Sequence, residues 1–167
     1  MWNNVGMITI LLIRHGIAED RRPGMRDAER GLTAEGWEKT RAAMAGLVRR
    51  GYVPARGVSS PYRRAAETMV CLREATPQGF PVGCWEGLEP EASVAAAREW
   101  LDLIVGQAHP FETIALVSHN PFCPALVRAL TGQDAAFKKA GCAVLHWTGG
   151  RFHLAALFTP AELRGDA

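Results

Sequence analysis

The sequence carries no excess of either charge. Nineteen Lys and Arg stand against 17 Asp and Glu over 167 residues, a formal charge of only +2. So balanced a chain gives no electrostatic footprint for nucleic acid. It also lacks an apolar run long enough to cross a bilayer. The N-terminal run from Val5 to Ile13 follows no Lys or Arg, precedes no small-residue cleavage site and ends in Arg14-His15. It reads as a buried strand, neither signal peptide nor anchor. The four cysteines, Cys71, Cys84, Cys123 and Cys142, form no CxxC pair and no metal-ligand spacing. Free buried thiols in a reducing cytoplasm are therefore expected. No two histidines have HxH or HExxH spacing, which leaves a metal centre without support. Repeats, low-complexity tracts and Pro/Ser-rich linkers are absent. The expectation is one cytoplasmic globular domain over residues 1–167, monomeric, with no cofactor, no metal, no nucleic acid and no membrane among its partners.

What is present is an alternation of strands and helices. Met7 to Ile13 is apolar at nearly every position, as in a strand covered on both faces. From Gly16 to Leu32 no periodicity is visible, and a stretch that long without structure is uncommon and often functional. Thr33 then predicts an N-cap, followed by a helical stripe of Trp37, Ala43, Met44, Leu47 and Val48 that ends near Gly51. Gly57 to Ser59 is a short strand. Ser60-Pro61 predicts a cap and first helical residue for a helix to about Ala75. Phe80 to Trp85 is a further short strand, and Pro90 or Glu91 to Val105 a helix. Thr113 to Val117 is a second near-continuous apolar strand, and Asn120-Pro121 starts a helix to Leu130. Ala143–Trp147 and Phe152–Leu157, joined by Thr148-Gly149-Gly150, form a closing hairpin. The pattern predicts an α/β fold, a sandwich with a mixed sheet.

Three of these strand ends carry the chemistry, because ligands of open α/β sheets collect at the carboxyl ends of strands. Arg14-His15-Gly16 closes the first. Ser59-Ser60 closes the second, with Arg63 and Arg64 in the helical turn that follows. Ser118-His119-Asn120-Pro121 closes the third. Cations in a first helical turn oppose the helix dipole at roughly 0.3–1 kcal/mol each, unless an anion sits there. Taken singly, the two arginines read as solvent-facing or paired with Glu67, and His15 as a core histidine on a backbone carbonyl. Recurrence of the pattern at three strand ends favours an anion site. Histidine as nucleophile, with a second histidine and arginines as charge stabilisers, makes a phosphoryl-transfer set that needs no metal. His109, His146 and His153 read as structural or solvated. Arg21, Arg22 and Arg26, offset by Glu19, Asp20, Asp27 and Glu29, make the long loop a mixed-charge face.

Four segments then carry a family resemblance. Leu12-Ile13-Arg14-His15-Gly16 resembles the signature of the histidine phosphatase, or phosphoglycerate mutase-like, superfamily. Ser60-Pro61-Tyr62-Arg63-Arg64-Ala65-Ala66-Glu67-Thr68 resembles its SPxxRAxxT motif, and Ser118-His119-Asn120-Pro121 its third. Asp27 to Gly36 is similar to the DxxRxLTxxG element of the short SixA-type phosphohistidine phosphatases. The resemblance implies a three-layer α/β/α sandwich with a mixed, mostly parallel sheet. It implies His15 as the nucleophile that becomes phosphorylated, and Arg14, Arg64 and His119 as the phosphate pocket. Arg64 rather than Arg63 matches the motif arginine. Arg30 and Asn120 are implied at the substrate-binding rim.

The departure from the family pattern is the general acid. Glu86, Glu89 and Glu91 crowd the stretch where other members place one, and no motif selects among them. Glu86 and Glu89 are kept as candidates. The stretch between Ala75 and Thr113 has room for about one helix and none for a capping insertion, which predicts an open, shallow site. The implied function is a metal-independent phosphatase working through a phosphohistidine intermediate and acting on phosphohistidine carried by a signalling protein. The alternatives are a small-molecule phosphomonoesterase that takes a small phosphate ester, and a non-catalytic module that binds phosphorylated proteins.

Overall fold

The computed structural model describes residues 6–166; Val5, at the start of the N-terminal apolar run, lies outside them. Six strands form one sheet: β1 (Ile8–Arg14), β2 (Arg56–Ser59), β3 (Val82–Cys84), β4 (Thr113–Ser118), β5 (Cys142–Thr148) and β6 (Arg151–Phe158). Their order is β3-β2-β4-β1-β5-β6. The first four run parallel, while β5 runs antiparallel to β1 and to β6. Helices α1 (Ala34–Arg49), α2 (Arg63–Ala75) and α5 (Pro160–Arg164) cover one face, and α3 (Val94–Gln107) and α4 (Phe122–Thr131) the other. This is the three-layer α/β/α sandwich with a mixed, mostly parallel sheet.

Burial on both faces explains the unbroken apolar run of β1. Ile10 and Leu12 pack under α3 and α4, whereas Leu11 and Ile13 pack under α1 and α2, all four fully buried. Each such side chain contributes roughly 1.5–3 kcal/mol by leaving water. A period-2 pattern would have left one face wet; this one does not. Helix α1 starts as its sequence predicts, with Thr33 Oγ1 accepting from Gly36 N at 2.9 Å. The β5–β6 hairpin turns through Gly149 and Gly150 at φ 59° and 82°, the positive pair that a two-residue turn between twisted strands needs.

Three helix starts differ from expectation. Helix α2 begins at Arg63, with Tyr62 in the cap position, because the Ser60 hydroxyl is engaged elsewhere. Helix α4 begins at Phe122 behind Pro121, with no side-chain cap from Asn120. Helix α3 begins at Val94 under a Ser93 cap, since Glu86–Leu88 form a 3-10 turn and Ala92 N closes a further turn on Glu89 O at 3.1 Å. Cys71, Cys123 and Cys142 are buried free thiols, but Cys84 is exposed because β3 is a three-residue edge strand. No helix among the described residues is long and apolar enough to cross a membrane.

Candidate active site

Strands β2, β4 and β1 are neighbours, so their carboxyl ends meet. Backbone hydrogen bonds lace them there: His15 N donates to Ser118 O at 3.0 Å and Ser60 N to Val117 O at 2.9 Å. Helices α2 and α4 leave from the same edge and point their positive ends toward it.

His15 sits at the centre, 8% exposed. Its Nδ1 lies 2.7 Å from Gly16 O, and its Nε2 is 3.3 Å from Arg64 Nε. A carbonyl only accepts and a guanidinium only donates. The proton therefore resides on Nδ1, and Nε2 presents its lone pair. Burial, with the charges of Arg64, Arg14 and Arg30 adding to it, pushes the His15 pKa down to about 4. The ring is neutral and nucleophilic at Nε2 through the physiological range. Gly16 admits no substituent, since a Cβ there would overlap the Thr40 hydroxyl. Its N–H donates to Thr68 Oγ1 at 3.0 Å, and that hydroxyl donates to Arg64 O at 2.8 Å. Thr68 thus locks the histidine turn to the first turn of α2.

His119 packs against His15, ring centroids 5.1 Å apart, and is 1% exposed. Its Nε2 is 2.8 Å from Ser60 Oγ, which also accepts from Tyr62 N at 3.3 Å. The Ser60 hydroxyl hydrogen is free to donate to Nε2. The Nδ1 of His119 is a buried atom with no partner among the described residues. Burial, followed by the neighbouring His15 and Arg64, pushes the His119 pKa down to about 3. The Tyr62 ring stands edge-on to His119 at 5.1 Å, and the Arg64 guanidinium lies over its face at 5.0 Å.

The two arginines of α2 part company. Arg64 is 4% exposed, and burial lowers its pKa against the opposing pull of Asp27. Arg63 is exposed and pairs with Glu67 at 3.3 Å. Arg14 donates from Nη1 to Phe137 O at 2.9 Å, and its buried Nε has no partner among the described residues. Two buried nitrogens without partners among the described residues, Arg14 Nε and His119 Nδ1, thus belong to groups packed around His15, and buried polar atoms are rarely left in that condition.

Asp27 is a site residue to which the sequence pattern assigns no role. Its Oδ2 accepts from Arg64 Nη2 at 3.1 Å, its carbonyl from Arg64 Nη1 at 2.8 Å, and its Oδ1 from Arg30 Nε at 2.8 Å. These guanidinium partners hold its carboxyl below the usual range despite the opposing cost of burial. Arg30 also donates to Glu19 O at 2.6 Å. The long loop is pinned by Glu67 as well, whose Oε1 accepts from Leu32 N at 2.7 Å. Loop 16–32 accordingly folds against Arg64. The loop is thereby tied to Arg64, next to the nearly buried His15.

Asn120 is exposed at the rim, with a long 3.5 Å contact to Phe137 O. Glu86 is exposed and Glu89 half-buried, and neither carboxylate hydrogen-bonds to His15, Arg14, Arg64 or His119 among the described residues. Their 3-10 turn is tied to the site floor through Ser118 Oγ, which donates to Leu88 O at 2.6 Å. Among the described residues no three His, Cys, Asp or Glu side chains are grouped to hold a metal.

Chemically, a lone pair ringed by guanidinium and imidazole donors suits attack on an anionic electrophile such as phosphorus. Comparison with known proteins agrees. The family model of the histidine phosphatase superfamily (branch 1) matches residues 10–103. An uncharacterised protein of Picosynechococcus sp. is 32% identical over 136 residues, 79% of this chain and 81% of that protein. Among solved structures, the protein histidine phosphatase SixA complexed with tungstate superposes with a TM-score of 0.84 at 21% identity, over 93% of this chain and 99% of that one. SixA from Agrobacterium tumefaciens, assigned as a phosphohistidine phosphatase, gives 0.76 at 26% identity, over 91% and 97%. A mycobacterial glucosyl-3-phosphoglycerate phosphatase shares the fold at 0.71 and 21% identity, over 90% and 98%.

Proposed function

The chain belongs to the histidine phosphatase superfamily, and from that premise we propose a phosphatase that removes phosphate from phosphohistidine on a protein by way of phosphorylated His15. The observation that carries this reading is the fixed tautomer of His15, with Nδ1–H on Gly16 O and the Nε2 lone pair against Arg64. In the first step Nε2 attacks phosphorus. The substrate P–N bond breaks, and the electron pair goes to a leaving imidazole that departs neutral once its ring is protonated. In the second step water attacks the phosphorus on His15. The P–Nε2 bond breaks with its electron pair returning to Nε2, the attacking water loses a proton to solvent, and inorganic phosphate leaves. Arg14, Arg64 and His119 supply the charge and donors that the phosphoryl oxygens need in both steps.

Substrate class rests on the leaving group. An alkoxide needs a positioned acid, a contribution of about 10²–10⁴-fold, whereas a protonated imidazole leaves without one. Among the described residues no carboxylic acid is hydrogen-bonded to His15, and the nearby Asp27 is held ionised by its arginines. One observation favours the small-molecule alternative: His15 is only 8% exposed. A substrate panel tests both. Phosphohistidine-bearing proteins are expected to be hydrolysed faster than phosphoserine, phosphotyrosine or sugar phosphates. Preference for a sugar phosphate would replace this reading with the phosphomonoesterase.

A further inference from the structure

A cleft of about 620 Å³ lies between α1, α5 and the segment 138–140, directly beside the His15 turn. Five cations line it, Arg14, Lys39, Lys138, Lys139 and Arg164, and among the described residues no carboxylate does. Lys39 pairs with Glu35 at 2.7 Å and Arg164 with Asp166 at 2.9 Å. Lys138 and Lys139 are exposed and make no ion pair among the described residues. In a chain with so small a net charge, this is a local concentration of positive potential. It is also built into the site. Ala140 N lies 3.0 Å from Arg14 O and 3.1 Å from His15 O, and Phe137 O receives the Arg14 guanidinium. Ala140 adopts φ 65°, a left-handed conformation that a Cβ disfavours. The backbone bonds to the catalytic turn hold it there, and so fix where the two lysines project.

We propose that this cleft is the docking surface for an acidic segment of the phosphorylated protein, a proposal that rests on the protein-phosphohistidine reading above. The rim is made of flexible, strongly hydrated ammonium groups, which steer a carboxylate-bearing surface rather than clamp one rigid small anion. Among the described residues no aromatic side chain lines the cleft for base stacking, which single-stranded nucleic acid sites use. An acidic segment seated there runs alongside Arg14–Gly16 and brings a neighbouring phosphohistidine toward Nε2. The encounter is therefore accelerated by charge and sensitive to salt.

The test separates docking from chemistry. Two labelled peptides of equal length, each with one central histidine, carry either glutamates or glutamines around it. Binding to the full chain is read by fluorescence anisotropy, beside that of an oligothymidylate. At low salt the glutamate peptide is expected to bind on the order of tenfold more tightly than the glutamine peptide. The difference disappears near 1 M salt, where the screening length is about 3 Å, and in the double variant Lys138→Gln/Lys139→Gln. The variant should hydrolyse a small phosphoramidate as fast as the unaltered enzyme, since neither lysine belongs to the phosphate pocket. Equal binding of the two peptides, a preference that survives the double substitution, or tighter binding of the oligonucleotide overturns the proposal. Hydrolysis of the phosphohistidine forms of the same peptides reports separately on the substrate reading. Docking without hydrolysis sinks that reading and leaves the cleft standing.

Discussion

Two pairs of histidines lie close together in this fold, and only one is fixed in place among cations. His15 and His119 stand at the carboxyl ends of adjacent parallel strands, buried among Arg14, Arg64 and the starts of two helices. His146 and His153 face each other across the antiparallel hairpin, the first half-buried and the second exposed. Burial and the neighbouring His153 lower the His146 pKa, so both pairs share mutual repulsion. They differ in what each ring nitrogen can do. At the strand ends a backbone carbonyl fixes one tautomer, and a guanidinium marks the free lone pair. On the hairpin no hydrogen bond orients either ring among the described residues. Proximity of two histidines is therefore no sign of a site; an enforced tautomer beside fixed cations is.

The sharpest way to break this contrast is to delete a member of each pair. His15→Ala is expected to reduce turnover to the uncatalysed rate, while His153→Ala leaves it unchanged. Trapping of acid-labile, base-stable phosphate on the unaltered enzyme, and its loss in His15→Ala, checks the same point. Near-native turnover in His15→Ala would sink the nucleophile assignment.

The paired arginines give the next contrast. Removing one preorganised donor from a developing oxyanion costs on the order of 10²–10³ in turnover, and Arg64→Ala is expected to fall in that range. Arg63 is an exposed member of a surface pair with Glu67, and such pairs contribute about 1 kcal/mol or less. Arg63→Ala should leave kcat nearly untouched. Equal losses at the two positions would mean that the guanidinium next to His15 is not the one that works.

Much of this site was legible in the sequence, and the reason is local. The apolar run of β1, the Thr33 cap and the Gly149-Gly150 turn are decided by neighbours in the chain, as are the two arginines in the first turn of α2. What escaped depends on distant contacts. Asp27 stands in a loop without periodicity, so nothing in the chain shows that its carboxylate reaches Arg64, 37 positions away. Ser60 before proline reads as a helix cap, but its hydroxyl faces His119, 59 positions away. Helix α5, five residues long, is too short to show a period at all.

A subtler contrast lies in how the buried pair responds to acid. The folded-state pKa values of His15 and His119, about 4 and about 3, are depressed from an ordinary 6.5. Below pH 6.5 the unfolded chain takes up protons that the folded chain refuses. Their contribution to stability is therefore fully present above that pH and declines as pH falls toward 4 for His15 and 3 for His119. Every tenfold difference in proton affinity between the folded and unfolded chain corresponds to about 1.4 kcal/mol. Chemical denaturation is expected to show a marked loss of stability between neutral pH and about pH 5. The loss should be smaller in His119→Gln and unaltered in His153→Gln. A pH profile identical in all three proteins would mean that the buried pair is not held neutral.

The smallest expected effect concerns the two glutamates that stand where a general acid would be sought. Glu86 and Glu89 flank Leu88, whose carbonyl receives the Ser118 hydroxyl at the floor of the site. Their segment is anchored there, but among the described residues neither carboxylate is hydrogen-bonded to His15, Arg14, Arg64 or His119. A proton donor must come within about 2.6–3.2 Å of the leaving atom. For a phosphohistidine the leaving ring can carry its own proton into the transition state, so an enzyme acid adds little. Glu86→Gln and Glu89→Gln should accordingly leave phosphohistidine hydrolysis close to the unaltered rate. Alkyl phosphates, which expel an alkoxide, should be slowed more, or both classes left alone. Steady-state kcat/KM on a phosphohistidine peptide and on an alkyl phosphate, measured for both variants, decides the matter. A large and equal loss on the two substrates from either substitution would make that glutamate an ordinary general acid, and the enzyme a general phosphomonoesterase.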